Sequence, residues 1–148
     1  MPRAVLLTNG FVPRRDVGSS IFLIARENER GVPDERIVLA GFSQGGAIAL
    51  AGGLRHPRRL AGIVALSTYL PMQPSFEAER SAANATTPIF WGHGTADPIV
   101  PLTRGVLSRD VLQGLGYPVE WHTYAMPHSV CAEEIAHLRT WMGQRLIG

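Results

Sequence analysis

The sequence contains one cysteine and no lysine, and it lacks a long apolar run. Because Cys131 is the only cysteine, a disulfide within the chain is excluded, and we expect a cytoplasmic location. A helix that spans a membrane needs about 18 or more apolar residues in a row, so we expect no stable insertion into a membrane. The apolar run within residues 1–16 is shorter than the core of a signal peptide, which takes about 7–15 residues.

The absence of lysine leaves arginine as the source of all 14 basic charges, which oppose 12 acidic residues. The basic clusters at residues 14–15 and 55–59 contain no interleaved aromatic residues, which argues against nucleic-acid binding. The 148 residues, 45% of them hydrophobic, suffice for one domain with a substantial core.

Apolar segments without alternation are separated by helical patterns along the chain. The run at residues 36–40 is typical of a strand buried on both faces of a parallel sheet. Strands that alternate with helices predict an α/β fold, with a mostly parallel sheet and helices on both faces. The predicted strands are 4–8, 36–40, 62–67, 88–92 and 119–124, and the predicted helices are 17–30, 45–55, 101–115 and 132–146. We expect loops at 69–84 and at 93–100, and a short helical turn within 69–84 is an open alternative.

One motif stands between a predicted strand and a helix of small residues. Gly41, Ser43 and Gly45 satisfy the G-x-S-x-G pattern of a nucleophile elbow. A serine at the apex of a sharp strand-to-helix turn is strained, and side chains with a Cβ atom on either side would clash. The motif therefore predicts a serine whose hydroxyl lies above the sheet.

A serine hydroxyl is a weak nucleophile, which needs a base and an acid that orients the base. Asp97 follows the predicted strand at 88–92, and His128 follows the strand at 119–124. The carboxyl ends of parallel strands meet at one edge of the sheet, so we expect Ser43, Asp97 and His128 to lie together there. Their order along the chain is the order that α/β-hydrolases use.

Other residues compete for these roles. Asp110 is a rival acid, but it lies in the middle of a predicted helix. Cys131 is a weaker candidate nucleophile, and we interpret it as a small buried residue that caps the last helix. We interpret His93 as part of the loop architecture. The remaining histidines are interpreted as structural, and they are His56, His122 and His137.

Four segments together resemble the bacterial carboxylesterase II group, in the carboxylesterase/phospholipase family that includes the acyl-protein thioesterases. The segments are GFSQGGA at 41–47, LSTYLP at 66–71, GHGTADPIVP at 92–101 and MPHSVC at 126–131. The resemblance covers about residues 17–146. It implies an α/β-hydrolase fold and a serine hydrolase that takes small acyl esters or thioesters, with no metal and no cofactor.

The resemblance also assigns roles. It implies Ser43 as the nucleophile, Asp97 as the orienting acid and His128 as the base. The backbone N–H of Gln44 can supply one donor to the oxyanion hole. Four residues in or beside these segments are candidates for an acyl pocket, namely Tyr69, Leu70, Met72 and Trp91. Core packing explains Trp91 equally well.

One feature that the resemblance implies, a motif for the second oxyanion donor, is missing from the sequence. We find no His-Gly-Leu-Gly type motif for the second oxyanion donor, and Thr8-Asn9-Gly10 does not match it. We expect one α/β-hydrolase domain over residues 1–148 that is N-terminally truncated, with 1–15 as a divergent segment. The strand at 36–40 would then present an open apolar edge, which invites pairing with another copy as a homodimer.

Three hypotheses follow. The chain is an active serine esterase in which residues 1–15 rebuild part of the missing region, or it is a truncated homologue with weak or no activity. The third hypothesis is a binding or interaction domain that associates through the open edge. A set of nucleophile, acid and base argues against the third hypothesis, because a structural role does not need it.

Overall fold

The computed structural model describes residues 2–8, 16–71 and 73–146. The strands are β1 (Ala4–Thr8), β2 (Ile37–Phe42), β3 (Gly62–Leu66), β4 (Ile89–Gly94) and β5 (Val119–Tyr124). The helices are α1 (Asp16–Glu29), α2 (Gln44–Gly53), α3 (Gln73–Glu79), α4 (Leu102–Gly114) and α5 (Ala132–Leu146). Short 3-10 helices span Asp34–Arg36 and Ala82–Asn84. Each predicted strand and helix therefore has a counterpart, with bounds that differ by at most two residues.

The five strands form one sheet in the order β1-β2-β3-β4-β5, and every neighbouring pair is parallel. This confirms the α/β class with a parallel sheet. Because all strands run in the same direction, the segments that follow them meet at one edge. The residues after β2, β4 and β5 are those that carry the predicted site.

The sheet separates two clusters of buried side chains. The larger cluster packs Leu39, Ile63 and Trp91 against side chains from α1, α2, α3 and α4. The smaller cluster packs Val64 and Phe90 against Leu138 and Trp141 of α5. Both faces of the sheet are covered, which explains why the central strands show no polar alternation.

The predicted open edge at residues 36–40 is wrong. Strand β1 pairs with β2 along its whole length, from Ala4 opposite Ile37 to Thr8 opposite Gly41. On this side of the sheet the edge strand is therefore β1, where Val5 is 41% and Leu7 is 76% exposed. The physical reason is that 4–8 is itself a β-forming apolar run, which supplies a neighbour for β2.

The predictions for two loops need correction. Residues 69–84 contain α3, whose single buried residue, Phe76, is too little to produce a helical period in the sequence. Residues 93–94 belong to β4, so His93 lies in a strand and not in a loop. Within the described ranges, none of the helices has the length and apolar character needed to cross a membrane.

Candidate active site

Ser43 occupies a sharp turn between β2 and α2. Its backbone has φ 57° and ψ −122°, a conformation that costs a residue with a side chain about 1–3 kcal/mol. A Cβ atom on Gly41 would lie 2.2 Å from the backbone carbonyl carbon of Gly45, so the close approach of strand and helix requires glycine there. The structure thus contains the strained elbow that the motif predicts.

The structure brings Ser43, His128 and Asp97 together at the carboxyl edge of the sheet. Nε2 of His128 lies 3.0 Å from Oγ of Ser43, and Nδ1 of the same ring lies 2.7 Å from Oδ2 of Asp97. The three residues come from the segments that follow β2, β5 and β4. A continuous chain of two hydrogen bonds therefore links the serine hydroxyl to the carboxylate.

The carboxylate of Asp97 is held from its other side by the backbone. Its Oδ1 accepts hydrogen bonds from the N–H groups of Ile99, at 2.8 Å, and Val100, at 2.9 Å. Burial acts to raise the pKa of Asp97, but the hydrogen bonds from His128, Val100 and Ile99 outweigh it and lower this pKa below its ordinary value. Asp97 is therefore an ionised acceptor that fixes the imidazole of His128.

His93 supports the acid without contacting the serine. Its buried ring donates through Nε2 to the carbonyl of Val100 at 2.8 Å, and Nδ1 accepts from the indole N–H of Trp91 at 3.4 Å. These partners assign the tautomer of His93. The interpretation of His93 as architecture stands, although the element is a strand.

His128 is partly exposed, with 17% of its side chain accessible. An ionised carboxylate only accepts hydrogen bonds, so Nδ1 donates to Asp97. In the neutral ring, Nε2 is then an acceptor for the Ser43 hydroxyl. The ring of Phe42 packs beside the imidazole of His128, with 4.7 Å between the two ring centroids. The geometry suits a base that takes a proton from serine.

Exposed apolar side chains occur beside each member of the trio. Phe42 precedes Ser43 and is 38% exposed, Ile99 is 66% exposed, and Val130 is 41% exposed. Ile99 and Val130 each lie two residues after the acid or the base. Apolar surface is thus available at every loop that forms the site.

The four predicted pocket residues have different locations. Trp91 and Leu70 are 0% and 4% exposed and belong to the larger core cluster, so the prediction that they line a pocket is corrected to core packing. A side chain that is enclosed by the core has no surface left for a substrate. Tyr69 is half-buried, beneath the guanidinium of Arg104 at 3.7 Å from its ring centroid. Met72 lies outside the described residues.

The rival residues do not join the trio. Asp110 is exposed on α4 and pairs with Arg109 at 3.0 Å. Cys131 caps α5 as expected, since its carbonyl accepts from the N–H of Ile135 at 3.1 Å, but it is partly exposed and not buried. Within the part of the chain that the structure describes, no group of three or more His, Cys, Asp or Glu side chains is placed to hold a metal ion.

Gln44 and Thr8 lie on the two sides of the elbow. Gln44 is the first residue of α2, where a backbone N–H has no partner within the helix and is available to an anion. The buried hydroxyl of Thr8 donates to the carbonyls of Ala40 and Gly45, which ties β1 to both arms of the turn. Asn9 and Gly10, the rest of the non-matching segment, lie outside the described residues.

One buried acid, Glu134, gives no signal in the sequence. Glu134 is 0% exposed, and neither carboxyl oxygen has a hydrogen-bond partner among the described residues. Its carboxyl group packs against Gly92, where an added Cβ atom would collide with Oε2. Burial raises the pKa of Glu134 to about 7. The sequence pattern shows only two acids at a helix start, which is ordinary.

A parallel sheet with a strained serine elbow, an acid and a histidine at its carboxyl edge defines the α/β-hydrolase class. The model of the family described as Phospholipase/Carboxylesterase matches residues 15–145, and the chain belongs to this family. This confirms the family that the four segments resemble.

Several curated relatives of the chain are acyl-protein thioesterases. The chain is 44% identical over 127 residues to acyl-protein thioesterase 1 of Neurospora crassa, covering 84% of this chain and 52% of that protein. It is 41% identical over 138 residues to the Cryptococcus neoformans protein of the same name, covering 84% and 58%. The chain therefore spans somewhat more than half the length of these relatives.

Solved structures show the same fold. The chain is similar to Arabidopsis thaliana SOBER1, with a TM-score of 0.83 and 31% identity, over 88% of this chain and 62% of that chain. It is also similar to Zea mays acyl-protein thioesterase 2, with a TM-score of 0.76 and 26% identity, over 88% and 64%.

Proposed function

We propose that the chain is a serine hydrolase that cleaves carboxylic esters or thioesters of small acyl substrates. The observation that carries this proposal is the hydrogen-bonded series from Ser43 through His128 to Asp97 at a strained elbow. An isolated turn serine needs neither a histidine at 3.0 Å nor a buried carboxylate behind that histidine. The strained serine, the histidine and the buried carboxylate occur together in a chain that matches the family, and this combination supports the assignment.

The first half of the reaction forms an acyl-enzyme. Nε2 of His128 takes the proton from Ser43 while Oγ attacks the carbonyl carbon of the substrate. The ionised Asp97 stabilises the imidazolium that results. The N–H of Gln44 donates to the oxyanion, and removal of one such donor typically costs about 100–1,000-fold in rate.

The second half of the reaction releases the acid. His128 returns its proton to the departing alcohol or thiol as the tetrahedral intermediate collapses. Water then attacks the acyl-enzyme, with His128 as base, and Ser43 recovers its proton when the carboxylic acid leaves. Neither half of the proposed reaction requires a cofactor.

An apolar acyl group is the substrate feature that the site favours. Phe42, Ile99 and Val130 expose carbon surface beside the nucleophile, the acid and the base. The relatives named acyl-protein thioesterases support the thioester class. Tyr69 remains a proposed contact for the acyl group.

A fluorophosphonate probe tests the proposal. We expect it to label Ser43 in the wild-type protein, to fail with Ser43→Ala, and to label Ser81→Ala normally. Ser81 is a suitable control because its hydroxyl only caps the 3-10 helix at Ala82–Asn84. Absence of labelling in folded wild-type protein would overturn the proposal.

The outer edge of β1 favours a second candidate, in which a weakly active or inactive homologue acts as an interaction domain. Leu7 is 76% exposed on that edge strand, and Phe22 of α1 is 68% exposed. We propose that a second copy pairs there to form a homodimer. Light scattering should then show a dimer that Leu7→Lys converts to a monomer, whereas a monomeric wild type contradicts pairing.

We also propose a cytoplasmic location, on the basis of the single Cys131, which a reducing compartment keeps as a thiol. The arginine clusters at 14–15 and 55–59 contain no aromatic residues, and we propose no nucleic-acid partner.

A further inference from the structure

The carbonyl group of Ser43 has an unusual partner. It accepts a hydrogen bond from Oγ1 of Thr68 at 2.6 Å, as well as a longer one from the N–H of Ala47 at 3.2 Å. The N–H of Ser43 donates to the carbonyl of Leu66 at 2.8 Å. Both backbone polar groups of the strained serine are therefore tied to the residues that end β3.

Thr68 is built into this position. It is 0% exposed, and its side-chain carbons lie so close to α2 that a Cβ atom on Gly46 would be 2.7 Å from its methyl carbon. The preceding residue, Ser67, has φ 52°, a conformation in which a serine is strained. The backbone turns sharply there, and this turn directs Thr68 back across the elbow.

The same turn contacts the other two loops of the site. The N–H of Ser67 donates to the carbonyl of Gly92 at 2.8 Å, and its hydroxyl donates to the carbonyl of Ser129 at 3.4 Å. Gly92 lies in β4, which leads to the acid, and Ser129 follows the base. Residues 66–68, at and after the end of β3, thus form hydrogen bonds to the segments that carry Ser43, Asp97 and His128.

The planarity of the peptide bond gives the Thr68 contact a consequence for catalysis. The carbonyl of Ser43 and the N–H of Gln44 belong to one rigid peptide group and point in opposite directions. A hydrogen bond that fixes the carbonyl therefore fixes the direction of the N–H. That N–H is the donor that the proposed function assigns to the oxyanion.

We infer that Thr68 is a positioning residue, whose hydroxyl orients the Ser43–Gln44 peptide group so that the Gln44 N–H is directed at the substrate oxyanion. Thr68 touches neither substrate nor His128 in this role. It acts through the peptide group alone, and the inference rests on the proposed function.

Three variants of Thr68 separate the hydroxyl from the methyl group. Thr68→Val keeps the shape and removes the hydroxyl, Thr68→Ala removes both groups, and Thr68→Ser keeps the hydroxyl. With p-nitrophenyl butyrate we expect kcat to fall about 10-fold or more in the valine and alanine variants, with KM within about 2-fold, which is less than the loss of a whole oxyanion donor. We expect the serine variant to retain kcat within about 3-fold.

Thr87 offers a matched control at the opposite end of the sheet. It is also 0% exposed, and its hydroxyl donates to Oδ1 of Asn84 at 2.7 Å. Thr87→Val should lower the melting temperature and leave kcat unchanged. A merely structural Thr68 would behave in the same way.

A trifluoromethyl ketone gives a readout that does not depend on turnover. It forms a tetrahedral adduct with an oxyanion, so its affinity should fall in Thr68→Val and Thr68→Ala by about the same factor as kcat. Equal kcat and equal inhibitor affinity in folded wild-type, valine and alanine proteins would overturn the inference. If wild-type protein does not react with fluorophosphonate, it is the proposed function that fails, and the inference falls with it.

Discussion

Two hydrogen-bonded histidine–aspartate pairs of the described residues lie at opposite ends of the sheet, and one of them faces a serine. His128 and Asp97 follow the carboxyl ends of β5 and β4, whereas His56 and Asp34 precede β3 and β2. Both pairs are hydrogen-bonded, and both aspartates are buried. In both, burial acts to raise the aspartate pKa, but hydrogen bonds outweigh it and lower the pKa below the ordinary value.

The second ring nitrogen distinguishes the pairs. Nε2 of His128 meets the Ser43 hydroxyl on a side chain that is 17% exposed. The second nitrogen of His56 is Nδ1, which is buried without a hydrogen-bond partner among the described residues. Asp34 also accepts from Arg58 at 3.0 Å and Asn28 at 2.8 Å, so it joins several segments together. The same two residue types can therefore meet a serine or only join segments, according to what the second ring nitrogen contacts.

The largest expected difference between the two pairs is in catalytic rate. His128→Ala should lower kcat by about 1,000-fold or more, because no base remains for Ser43. His56→Ala should keep kcat within a few-fold when rates are divided by the folded fraction. Steady-state kinetics with p-nitrophenyl butyrate measures both. Similar losses in the two folded variants would contradict the division of roles.

The next effect has the opposite order and concerns stability. Removal of His56 leaves Asp34 buried with fewer partners, and we expect a loss of about 3 kcal/mol in the free energy of unfolding. His128→Ala should cost less, about 1 kcal/mol, because Asp97 keeps its two backbone N–H donors and water can enter the space left by the partly exposed imidazole. Urea unfolding checks the two values. A larger loss for His128→Ala would show that the pair beside Ser43 contributes more to stability than the pair of His56 and Asp34.

Glu134 sharpens the comparison, because it is a buried acid without a histidine. Burial raises its pKa from 4.5 to about 7, so the folded protein binds a proton more tightly than the unfolded chain and becomes less stable as pH rises between these values. A shift of this size corresponds to about 3 kcal/mol. Glu134→Gln should therefore stabilise the protein at and above neutral pH and have little effect near pH 4.

The exposed neighbour Glu133 provides the control for Glu134, since Glu133→Gln should change stability little at any pH. The pKa of Asp34 is shifted in the opposite direction, so its contribution to stability has the opposite dependence on pH. Its lowered pKa adds stability above its ordinary value of 3.8, and this contribution is lost as pH falls through the folded-state pKa. Thermal unfolding as a function of pH measures both. A Glu134→Gln variant that is less stable than wild type at pH 8 would show that the carboxylate is stabilised.

The smallest expected effect concerns Arg58, whose guanidinium pairs with Asp34 from the solvent side. Its side chain is 65% exposed, so its ion pair with Asp34 is screened by water. We expect Arg58→Ala to lower the free energy of unfolding by less than about 1 kcal/mol and to leave kcat unchanged. A loss as large as that of His56→Ala would mean that the arginine, and not the histidine, holds the pair.

Most of the fold was predictable because its signals are local. The strand at 119–124 and the helix at 132–146 have the predicted bounds, since a β-rich run and a helical period are each contained in one segment. Helix α3 was missed because its one buried residue, Phe76, gives no period. The position of β1 beside β2 was missed because strand order depends on pairing between segments that are 33 residues apart in register.

The candidate site was predictable for a related reason. Ser43, Asp97 and His128 each follow a strand, and the parallel sheet brings those positions to one edge. The roles of Thr68 and Glu134 were not predictable, because each depends on which atoms lie within a few ångströms of its side chain. The burial of Trp91 and Leu70 in the core depends on such contacts too, so the sequence alone does not distinguish them from pocket residues.

The sequence by itself determined which residues could form the site that we propose. Glycines at 41 and 45 allow the strained turn at Ser43, and segment order places an acid and a base at the same edge. Only the tertiary structure decided which histidine–aspartate pair meets the serine and which pair holds segments together. Both pairs consist of the same residue types, so the difference lies in the environment of the second ring nitrogen, and that environment is built by segments far apart in the chain.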